Sequence, residues 1–517
     1  MTSYGAVRAA LERGDLHLRE RVEAFLQRIN ARNPELNALL EVWPDEALRE
    51  ADRIQERIRR GEAGPLAGMV LVIKDNIAVR NHRLTCASRM LASFESLYDA
   101  TVIARLREAD ALLIGKANLD EFAMGSSNEN SAFGPVRNPH RPEYVPGGSS
   151  GGSAAALAAG FCDAALGSDT GGSIRLPAAL CGVVGLKPTY GRVSRFGLVA
   201  FASSLDCIGP MASSIEDVAR VLEVIAGFDP QDSTSMPRPV PRYTDFLQKP
   251  EVRRWRIGLP REYYAEGLDP EIRSALEALA GDLERAGARI QEVSLPHTEY
   301  GIATYYILAT AEASSNLARY DGIHYGHRAS MEAVMASLQE EARQVRAELE
   351  RARARGDEEA ILRWTERLEN QDSPLVRLYK LSRTEGFGTE VKRRIMLGTY
   401  VLSAGYYEAY YAKAQRVRRL IQSDFMRVFE EVDVLLTPPT PTPGFRLGER
   451  LEDPLKMYLA DVYTVTANLA GIPALVLPIG WHSEGLPIGA QLMGRPFEEE
   501  RLLEIGRVVE TLCGTAA

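Results

Sequence analysis

The sequence predicts an α/β protein with a central mixed β-sheet that is covered by helices on both faces. Helical and strand patterns alternate along much of the chain. The clearest helix spans 269–287, with Asp269 as the N-cap, Pro270 at the first position and a leucine-rich stripe. A strand pattern follows at 289–293. Such alternation is typical of a parallel or mixed sheet with helices packed against it.

The N-terminal part of the chain indicates helices that lead into a buried strand. Residues 4–61 have the periodicity of amphipathic helices, interrupted by a short extended piece near 36–40. A turn over 61–68 then leads to the apolar run 69–73. We expect this run to be a strand that ends at Lys74.

Three further segments bear on the organisation of the chain. A helix followed by a strand is predicted over 99–115. The polar segment 118–130 between apolar runs indicates either a loop that lines a pocket or a solvated surface loop. The proline-rich segment 236–241 is expected to be a surface connection within one fold.

Residues 331–372 differ in character from the rest of the chain. A narrow apolar seam runs between Glu and Arg residues, formed by Val334, Leu338, Ala342, Val345, Leu349 and Ala352. The pair 356–357 (Gly-Asp) interrupts this pattern, and a second helical stretch follows. We predict a charged helical hairpin inserted into a single domain that spans 1–517. A solvated surface elaboration is a better interpretation of it than a docking arm.

Composition excludes several classes of protein. The chain has 517 residues and a net charge of −9, which disfavours nucleic-acid binding by this chain alone. No apolar run approaches the length of a membrane span, and no secretory signal is evident. Five scattered cysteines without a CxxC pair argue against a disulfide framework or a metal site. We therefore expect a cytoplasmic protein with no bound metal.

Two Gly/Ser clusters, at 147–153 and 168–173, enclose the most informative stretch of the sequence. Small apolar residues fill the space between them, ending in a strand near 164–166, so neither cluster resembles a linker. We expect each cluster to form a tight loop with serines where another molecule can approach. A phosphate-binding loop is disfavoured because no Gly-Lys-Ser/Thr follows.

A serine nucleophile needs a base, and histidine is a poor candidate for that role here. The chain has seven histidines, and none lies in either cluster. Lysine becomes a base when burial disfavours its charged form and lowers its pKa. The apolar strand before Lys74 is expected to supply such burial.

Three motifs in this order resemble the amidase signature family: VIKDN at 72–76, the first Gly/Ser cluster, and DTGGSIR at 169–175. The resemblance implies Ser173 as the nucleophile, Ser149 as a bridging serine held by a cis peptide, and Lys74 as an uncharged base. Ser149 lies 24 residues before Ser173 and 75 residues after Lys74 (173 − 149 and 149 − 74). These spacings fit the family pattern.

The third motif also predicts the groups around the nucleophile. The backbone N–H groups of Thr170, Gly171, Gly172 and Ser173 are expected to form an oxyanion hole. Asp169 and Arg175 flank this turn, and we interpret them as an ion pair that braces the loop.

Other segments are similar to the glutaminase subunits of tRNA-dependent amidotransferases, a branch of this family; they are 87–91, 131–139, 186–210, 312–326 and 385–411. The resemblance implies hydrolysis of L-glutamine and transfer of ammonia to a tRNA-binding partner, the B subunit, which uses ATP and Mg²⁺. It also implies a small third chain, the C subunit, in a heterotrimer, tRNA contacts made mainly through the partner, and no cofactor in this chain. Whether the acceptor is Glu-tRNA(Gln), Asp-tRNA(Asn) or both stays open.

Glutamine carries a carboxylate and an ammonium group, so a selective pocket needs a fork-shaped cation and an acid. By resemblance, Arg394 binds the carboxylate and Asp461 binds the α-amino group. Tyr305 or Tyr306 is expected to close the pocket. A stand-alone amidase is the alternative; it would share the triad but would not need Arg394 and Asp461. A scaffold with a decayed site is disfavoured because the triad is intact.

The sequence departs from the family pattern at four places. Leu176 and Cys207 occupy positions where glutamines are expected. Met69 replaces a smaller or branched residue, and the pair 81–82 (Asn-His) replaces a turn that usually contains glycine. None of these departures affects the three catalytic positions, so we expect the acyl chemistry to be retained.

Overall fold

The fold is organised around one mixed sheet of eleven strands, seen in a computed structural model that describes residues 3–248, 255–450 and 453–514. The order across the sheet is β1-β3-β2-β4-β6-β5-β10-β11-β9-β7-β8. The strands are β1 (Leu39–Val42), β2 (Val70–Lys74), β3 (Leu112–Ala117), β4 (Ala164–Asp169), β5 (Val184–Lys187), β6 (Cys207–Ala212), β7 (Arg256–Pro260), β8 (Arg289–Val293), β9 (Val434–Thr437), β10 (Ala474–Trp481) and β11 (Pro487–Gly494).

Helices precede, connect and follow these strands. They are α1 (Tyr4–Arg13), α2 (Leu18–Leu36), α3 (Pro44–Arg60), α4 (Thr101–Glu108), α5 (Gly151–Ala158), α6 (Arg175–Cys181), α7 (Ile215–Ile225), α8 (Pro270–Arg285), α9 (Gly301–Asn316), α10 (Met331–Arg355), α11 (Glu358–Glu369), α12 (Pro374–Gly386), α13 (Thr389–Val401), α14 (Ala412–Glu431), α15 (Pro454–Tyr458), α16 (Val465–Ala470) and α17 (Glu499–Leu512). Among the described residues, no helix is both long and apolar enough to cross a membrane.

The predicted fold class is confirmed, and strand β2 shows why both faces of the sheet are covered. Leu71 and Ile73 belong to one buried apolar cluster, whereas Val70 and Val72 belong to a second cluster on the opposite face. A strand that is buried on both faces reads as a continuous apolar run rather than an alternating one. By the same alternation, Lys74 points to the side of Val70 and Val72.

Strand pairing brings the VIKDN and DTGGSIR motifs to one edge of the sheet. β2 pairs in parallel with β4, with Ile73 opposite Leu166. Because parallel strands end at the same edge, Lys74 at the end of β2 lies beside Ser168 and Asp169 at the end of β4. The 170–173 turn therefore begins next to Lys74.

Several elements start at positions other than those predicted. The extended piece near 36–40 is a strand only from Leu39, because α2 continues through Leu36. The first Gly/Ser cluster is not a loop throughout, since α5 already begins at Gly151. The alanines that follow favour a helix and outweigh the glycines at its start. The helix predicted near 269–287 is confirmed, with Asp269 accepting hydrogen bonds from the N–H groups of Glu271 and Ile272.

Residues 331–372 form two helices, α10 and α11, joined at Gly356, which caps α10 in the left-handed conformation. Five seam residues are buried: Val334, Leu338, Val345, Leu349 and Ala352. The seam accordingly packs against the neighbouring helices rather than facing solvent.

Helix α13 packs closely against α9 at Gly398. A Cβ atom added there would lie 1.9 Å from the backbone oxygen of Thr310. Gly398→Ala should therefore destabilise the protein by about 2 kcal/mol or more, because backbone atoms cannot move aside cheaply. The measurement is the free energy of unfolding.

The matched control for Gly398 is Gly281 in the interior of α8. A Cβ atom there would meet only the flexible end of Arg285, at 3.4 Å. Gly281→Ala should be neutral or stabilise by about 0.5–1 kcal/mol, the usual gain for alanine in a helix. Equal effects of the two substitutions would contradict the close packing of α13 on α9.

Candidate active site

Lys74 lies at the end of β2, and serine hydroxyls surround its Nζ atom. Its Nζ is 2.7 Å from Ser149 Oγ, 2.7 Å from Ser150 Oγ and 2.9 Å from Ser168 Oγ. Lys74 and Ser149 are both fully buried. The structure therefore brings together the lysine and the bridging serine that the sequence predicted, and adds Ser150 and Ser168, which the sequence analysis did not identify.

Burial lowers the pKa of Lys74 to about 7. The carboxylates of Asp120, Asp169 and Asp206 oppose this shift. The Ser150 hydroxyl lies at the N-terminus of α5, and the partial positive charge of a helix N-terminus also disfavours a protonated amine nearby. A substantial fraction of Lys74 is thus neutral at physiological pH and able to accept a proton.

Hydrogen-bond accounting distinguishes the two serines at 2.7 Å from Lys74. The Ser150 hydroxyl donates to the backbone oxygen of Ser168 at 3.1 Å, so Ser150 can only accept from Nζ. Ser149 Oγ has no hydrogen-bond partner other than Lys74 among the described residues. A neutral amine has one lone pair, and of these two hydroxyls only that of Ser149 is free to donate to it.

The peptide bond between Gly148 and Ser149 is cis, as the family resemblance implied. Gly148 sits where a side chain would not fit, because a Cβ atom would lie 2.1 Å from Asp120 Oδ2. The N–H of Asp120 donates to the Ser149 backbone oxygen at 3.2 Å. Asp120 therefore helps to fix the backbone that carries Ser149.

Ser173 lies in the turn between β4 and α6 and is 8% exposed, in contrast to the fully buried Lys74 and Ser149. Its backbone oxygen accepts from the N–H of Ser150 at 3.1 Å, which joins the two Gly/Ser clusters. No hydrogen bond links Ser149 Oγ and Ser173 Oγ within the described residues. Catalytic hydrogen bonds are commonly looser before the substrate binds.

The predicted oxyanion donors differ in availability. The N–H of Gly172 already donates to Asp169 Oδ1 at 2.9 Å, so Gly172 does not fit the role predicted for it. Thr170 uses its hydroxyl to donate to Asp206 Oδ1 at 2.6 Å, which leaves its N–H unaffected. The N–H groups of Thr170, Gly171 and Ser173 make no hydrogen bond to any described residue. These three groups are the better candidates for holding an oxyanion.

The predicted ion pair between Asp169 and Arg175 is confirmed. Arg175 Nη2 donates to Asp169 Oδ1 at 3.0 Å, and both side chains are fully buried. Although burial alone would raise the pKa of Asp169, Arg175 lowers it to about 2. The Asp169 carboxylate also accepts from the N–H groups of Gly172 and Ile174. It therefore shapes the turn that presents Ser173.

Arg394 lies on α13 and is buried with its guanidinium among aromatic rings. Its Nε donates to Glu390 Oε1 at 2.8 Å, and Glu390 also accepts from the Tyr458 hydroxyl at 3.1 Å. The guanidinium carbon is 5.3 Å from the ring centre of Tyr306 and 5.6 Å from that of Tyr458. Its two terminal nitrogens have no hydrogen-bond partner among the described residues. They can bind a carboxylate in a bidentate manner.

Asp461 is buried close to Arg394. Its carboxylate accepts from the Ser126 hydroxyl at 2.6 Å and from the Tyr306 hydroxyl at 3.5 Å. Burial raises the pKa of Asp461 to about 7, although Ser126 and Arg394 act in the opposite direction. A bound ammonium group would stabilise the ionised form. The contact with Ser126 also places the 118–130 segment at the site rather than on a solvated surface.

Thr464 connects this pair to the nucleophile turn. Its N–H donates to the Asp461 backbone oxygen at 3.0 Å, and its hydroxyl donates to the Gly171 backbone oxygen at 2.7 Å. Both tyrosines of α9 line the site. Tyr306 contacts Arg394 and Asp461, whereas Tyr305 packs over Gly171, where an added Cβ would lie 2.7 Å from its hydroxyl.

Two of the departures from the family pattern are buried near the site. Leu176 packs in an apolar cluster with Val145, Leu180 and Met457, close to the segment that carries Asp461. A glutamine there would need hydrogen-bond partners that this cluster does not provide. Cys207 is buried opposite Asp169 in the sheet. Both residues therefore pack beside the turn that carries Ser173.

The geometry fits the class of protein that the motifs predicted: Lys74 is buried against Ser149, and Ser173 lies in the adjoining turn, as expected for an amidase-type hydrolase. Among the described residues, no group of three or more His, Cys, Asp or Glu side chains is arranged to hold a metal ion. The Amidase family profile matches residues 20–503. The chain belongs to the Amidase family.

Within this family, the similarity to one group of proteins extends over nearly the whole chain. The chain is 61% identical over 509 residues to the A subunit of glutamyl-tRNA(Gln) amidotransferase from Salinibacter ruber, covering 98% of this chain and 99% of that protein. The crystal structure of the protein of that name from Thermotoga maritima is 40% identical, with a TM-score of 0.73 over 96% of this chain and 91% of that one.

A second solved structure shows how widely the fold is shared. It belongs to a vestigial protein complex that reveals the evolutionary origins of an s-triazine catabolic enzyme. The identity is 29%, and the TM-score is 0.80 over 99% of this chain and 98% of that one. Backbone similarity alone does not identify the substrate, which depends on the side chains of the site.

Proposed function

We propose that this chain is the glutamine-hydrolysing component of a tRNA-dependent amidotransferase. One observation supports the proposal most strongly: a buried guanidinium, whose terminal nitrogens have no hydrogen-bond partner among the described residues, lies near the buried carboxylate of Asp461, and Thr464 joins the Asp461 backbone to the Ser173 turn. This pair matches the carboxylate and ammonium of free glutamine. A stand-alone amidase acting on a non-zwitterionic amide has no use for it.

The reaction begins with proton transfer through the two serines. Neutral Lys74 accepts the Ser149 proton while Ser149 accepts the proton of Ser173. Ser173 Oγ attacks the side-chain amide carbon of glutamine, and the N–H groups of Thr170, Gly171 and Ser173 hold the resulting oxyanion. Lys74 then carries the proton that Ser173 has lost.

That proton returns to the leaving group. It passes through Ser149 to the amide nitrogen, the C–N bond breaks, and ammonia departs. A glutamyl ester remains on Ser173 Oγ. Water attacks this ester with the same base, releasing glutamate and restoring the Ser173 hydroxyl.

The ammonia is consumed by partners in this proposal. The larger B subunit binds the misacylated tRNA and activates its carboxylate with ATP and Mg²⁺, and the small C subunit completes a heterotrimer. The chain's own net charge of −9 supports contact with tRNA mainly through the partner. The acceptor in this proposal is Glu-tRNA(Gln), with Asp-tRNA(Asn) as a second substrate to test.

The experiment is to co-express the chain with the B and C subunits of its host and assay the purified complex. The proposal predicts glutamine-dependent conversion of Glu-tRNA(Gln) to Gln-tRNA(Gln) in the presence of ATP. Ammonia should replace glutamine as nitrogen donor. A chain that binds neither of these partners and hydrolyses simple amides would instead be a stand-alone amidase.

Arg394→Lys is expected to raise the KM for glutamine by about 10- to 100-fold with a much smaller change in kcat. Lysine keeps the charge but loses the planar fork that binds a carboxylate through two hydrogen bonds. Steady-state glutaminase kinetics of the complex measure the effect. Lys392→Ala is the control, because that half-buried neighbour directs its amine to the Thr384 backbone oxygen. A KM unchanged by Arg394→Lys would contradict the assigned role.

The kcat/KM for glutamine is expected to rise with pH through about 7. Lys74 must lose its proton to act as a base, and Asp461 must lose its proton to pair with the substrate ammonium. Both groups have a pKa of about 7. The acid limb should therefore approach a slope of about two in a logarithmic plot.

The Asp461→Asn variant separates the titration of Lys74 from that of Asp461. This variant should bind glutamine more weakly, and its acid limb should have a slope of about one, because only Lys74 still titrates. An unchanged slope, or a flat profile between about pH 5.5 and 8, would contradict the assignment.

A further inference from the structure

The outer face of α13 and the segment after it carry a continuous apolar surface. Seven side chains on it are 38–72% exposed: Met396, Leu397, Tyr400, Leu402, Tyr406, Tyr407 and Tyr410. The rings of Tyr400 and Tyr406 lie 4.3 Å apart, and those of Tyr406 and Tyr410 lie 5.9 Å apart. We call these seven residues the tyrosine surface.

The two faces of α13 have different roles. Val391, Arg394, Gly398 and Val401 face inward at helical spacing and are buried. Met396, Leu397 and Tyr400 lie on the opposite side. Because Gly398 holds the helix against Thr310, the part of the tyrosine surface on α13 has a fixed position relative to Arg394. A molecule on the outer face is therefore only one helix away from the glutamine site.

The tyrosine surface is large enough for a protein partner. At these exposures the seven side chains present on the order of 600 Å², compared with about 800 Å² per partner in a standard protein–protein interface. Scattered apolar residues are normal on surfaces, but contiguous patches of this size mark interaction sites. Tyrosine and methionine are also enriched in the centres of interfaces.

The charges around the surface are mostly positive. Lys413, Arg416 and Arg419 are exposed and follow the tyrosine surface on α14. Glu408, which lies between Tyr407 and Tyr410 in sequence, is exposed and acidic. This local excess of positive charge contrasts with the overall charge of −9. A complementary partner has an apolar centre with an acidic rim.

We infer that the tyrosine surface docks the ammonia-accepting protein of the amidotransferase complex. The inference rests on the proposed function, because it takes the partner from that complex. The docked protein would lie against the helix whose inner face holds the substrate, which keeps the distance between ammonia release and ammonia use short. The surface thus joins partner binding to the glutamine site through α13.

The test uses Met396→Asp and Tyr406→Asp in the full chain, co-expressed with the B and C subunits. Each substitution places a charge at the centre of the surface, and neither residue belongs to the site. Affinity for the purified B subunit, the ammonia-accepting protein, should fall by at least about 100-fold. Labelling of Ser173 by a sulfonyl fluoride should remain as in the unaltered chain, which shows that the site is intact.

Leu362→Asp on α11 is the matched control, because Leu362 is 62% exposed and Met396 is 72% exposed. Its affinity for the partner should be unchanged. Unaltered affinity of the two surface variants would overturn the inference, as would an equal loss with Leu362→Asp. Retained partner binding with lost tRNA binding would also overturn it by assigning the surface to nucleic acid.

The outcomes separate this inference from the proposed function. If the unaltered chain binds neither partner, the proposed function fails. If the unaltered chain forms an active complex and the surface variants do so equally well, only the docking surface is wrong.

Discussion

Ser173→Ala is expected to reduce glutamine-dependent amidation by the complex by at least about 10³-fold while leaving ammonia-dependent amidation unchanged. The hydroxyl is the only group of this residue that forms a covalent bond in the mechanism, and methyl cannot replace it. Ammonia supplied from solution bypasses the glutaminase step. The measurement is the rate of Gln-tRNA(Gln) formation with each nitrogen donor.

Ser153→Ala provides a control in the first Gly/Ser cluster. Ser153 is fully buried and donates to the Leu166 backbone oxygen at 3.0 Å, so it is a structural serine away from Lys74. Its removal should change glutaminase activity only a few-fold. Loss of both glutamine and ammonia activities in Ser173→Ala would indicate a general defect and contradict the assigned role.

Lys74→Ala is expected to slow acylation by about 10²- to 10⁴-fold, the usual contribution of a positioned base. Lys74→Arg should be equally impaired, because a guanidinium does not become neutral in this pH range. Rapid-mixing measurement of the first turnover detects the effect. Retained burst kinetics in either variant would show that another group is the base.

Lys187→Met distinguishes the loss of a base from the loss of any buried lysine. Burial lowers the pKa of Lys187 as it does that of Lys74, but the Lys187 amine donates to the Pro188 backbone oxygen. This variant should acylate at nearly the rate of the unaltered chain. Its altered stability can be monitored separately by thermal unfolding.

Much of the fold followed from local patterns. The apolar run before Lys74 predicted a buried strand, and both faces of that strand are covered. Asp269 predicted the start of α8, and its side chain caps that helix. Boundaries were less predictable. The glycine-rich 151–153 segment begins a helix, since the alanines after it and packing on the sheet decide its conformation.

The candidate catalytic residues were identifiable because they lie in recognisable motifs, whereas their supporting residues were not. Glu390 orients Arg394, and Ser126 contacts Asp461 from a position 335 residues away in sequence. Thr464 similarly reaches the turn at Gly171. Nothing local marks Ser126 or Thr464, because their roles depend on chain segments that meet only in the folded protein. Glu390 had a weak signal: it lies four residues before Arg394 on one helix face.

The availability of backbone donors was also beyond sequence reasoning. All four residues from Thr170 to Ser173 were equivalent as candidates for the oxyanion hole. The structure separates Gly172 from the other three because Asp169 already accepts a hydrogen bond from the N–H of Gly172. The sequence also could not decide whether Tyr305 or Tyr306 lines the pocket. Adjacent residues on a helix point about 100° apart, and both directions meet the site here.

The assignment of Ser173 as the nucleophile is tested most directly by locating the glutamyl ester. The complex is mixed with glutamine, quenched in acid before the ester is hydrolysed, digested and analysed by mass spectrometry. A mass increase of one glutamyl group on Ser173, absent in Ser173→Ala, is the predicted result. An adduct on Ser149 or on a cysteine, or turnover of glutamine without any adduct, would contradict the account.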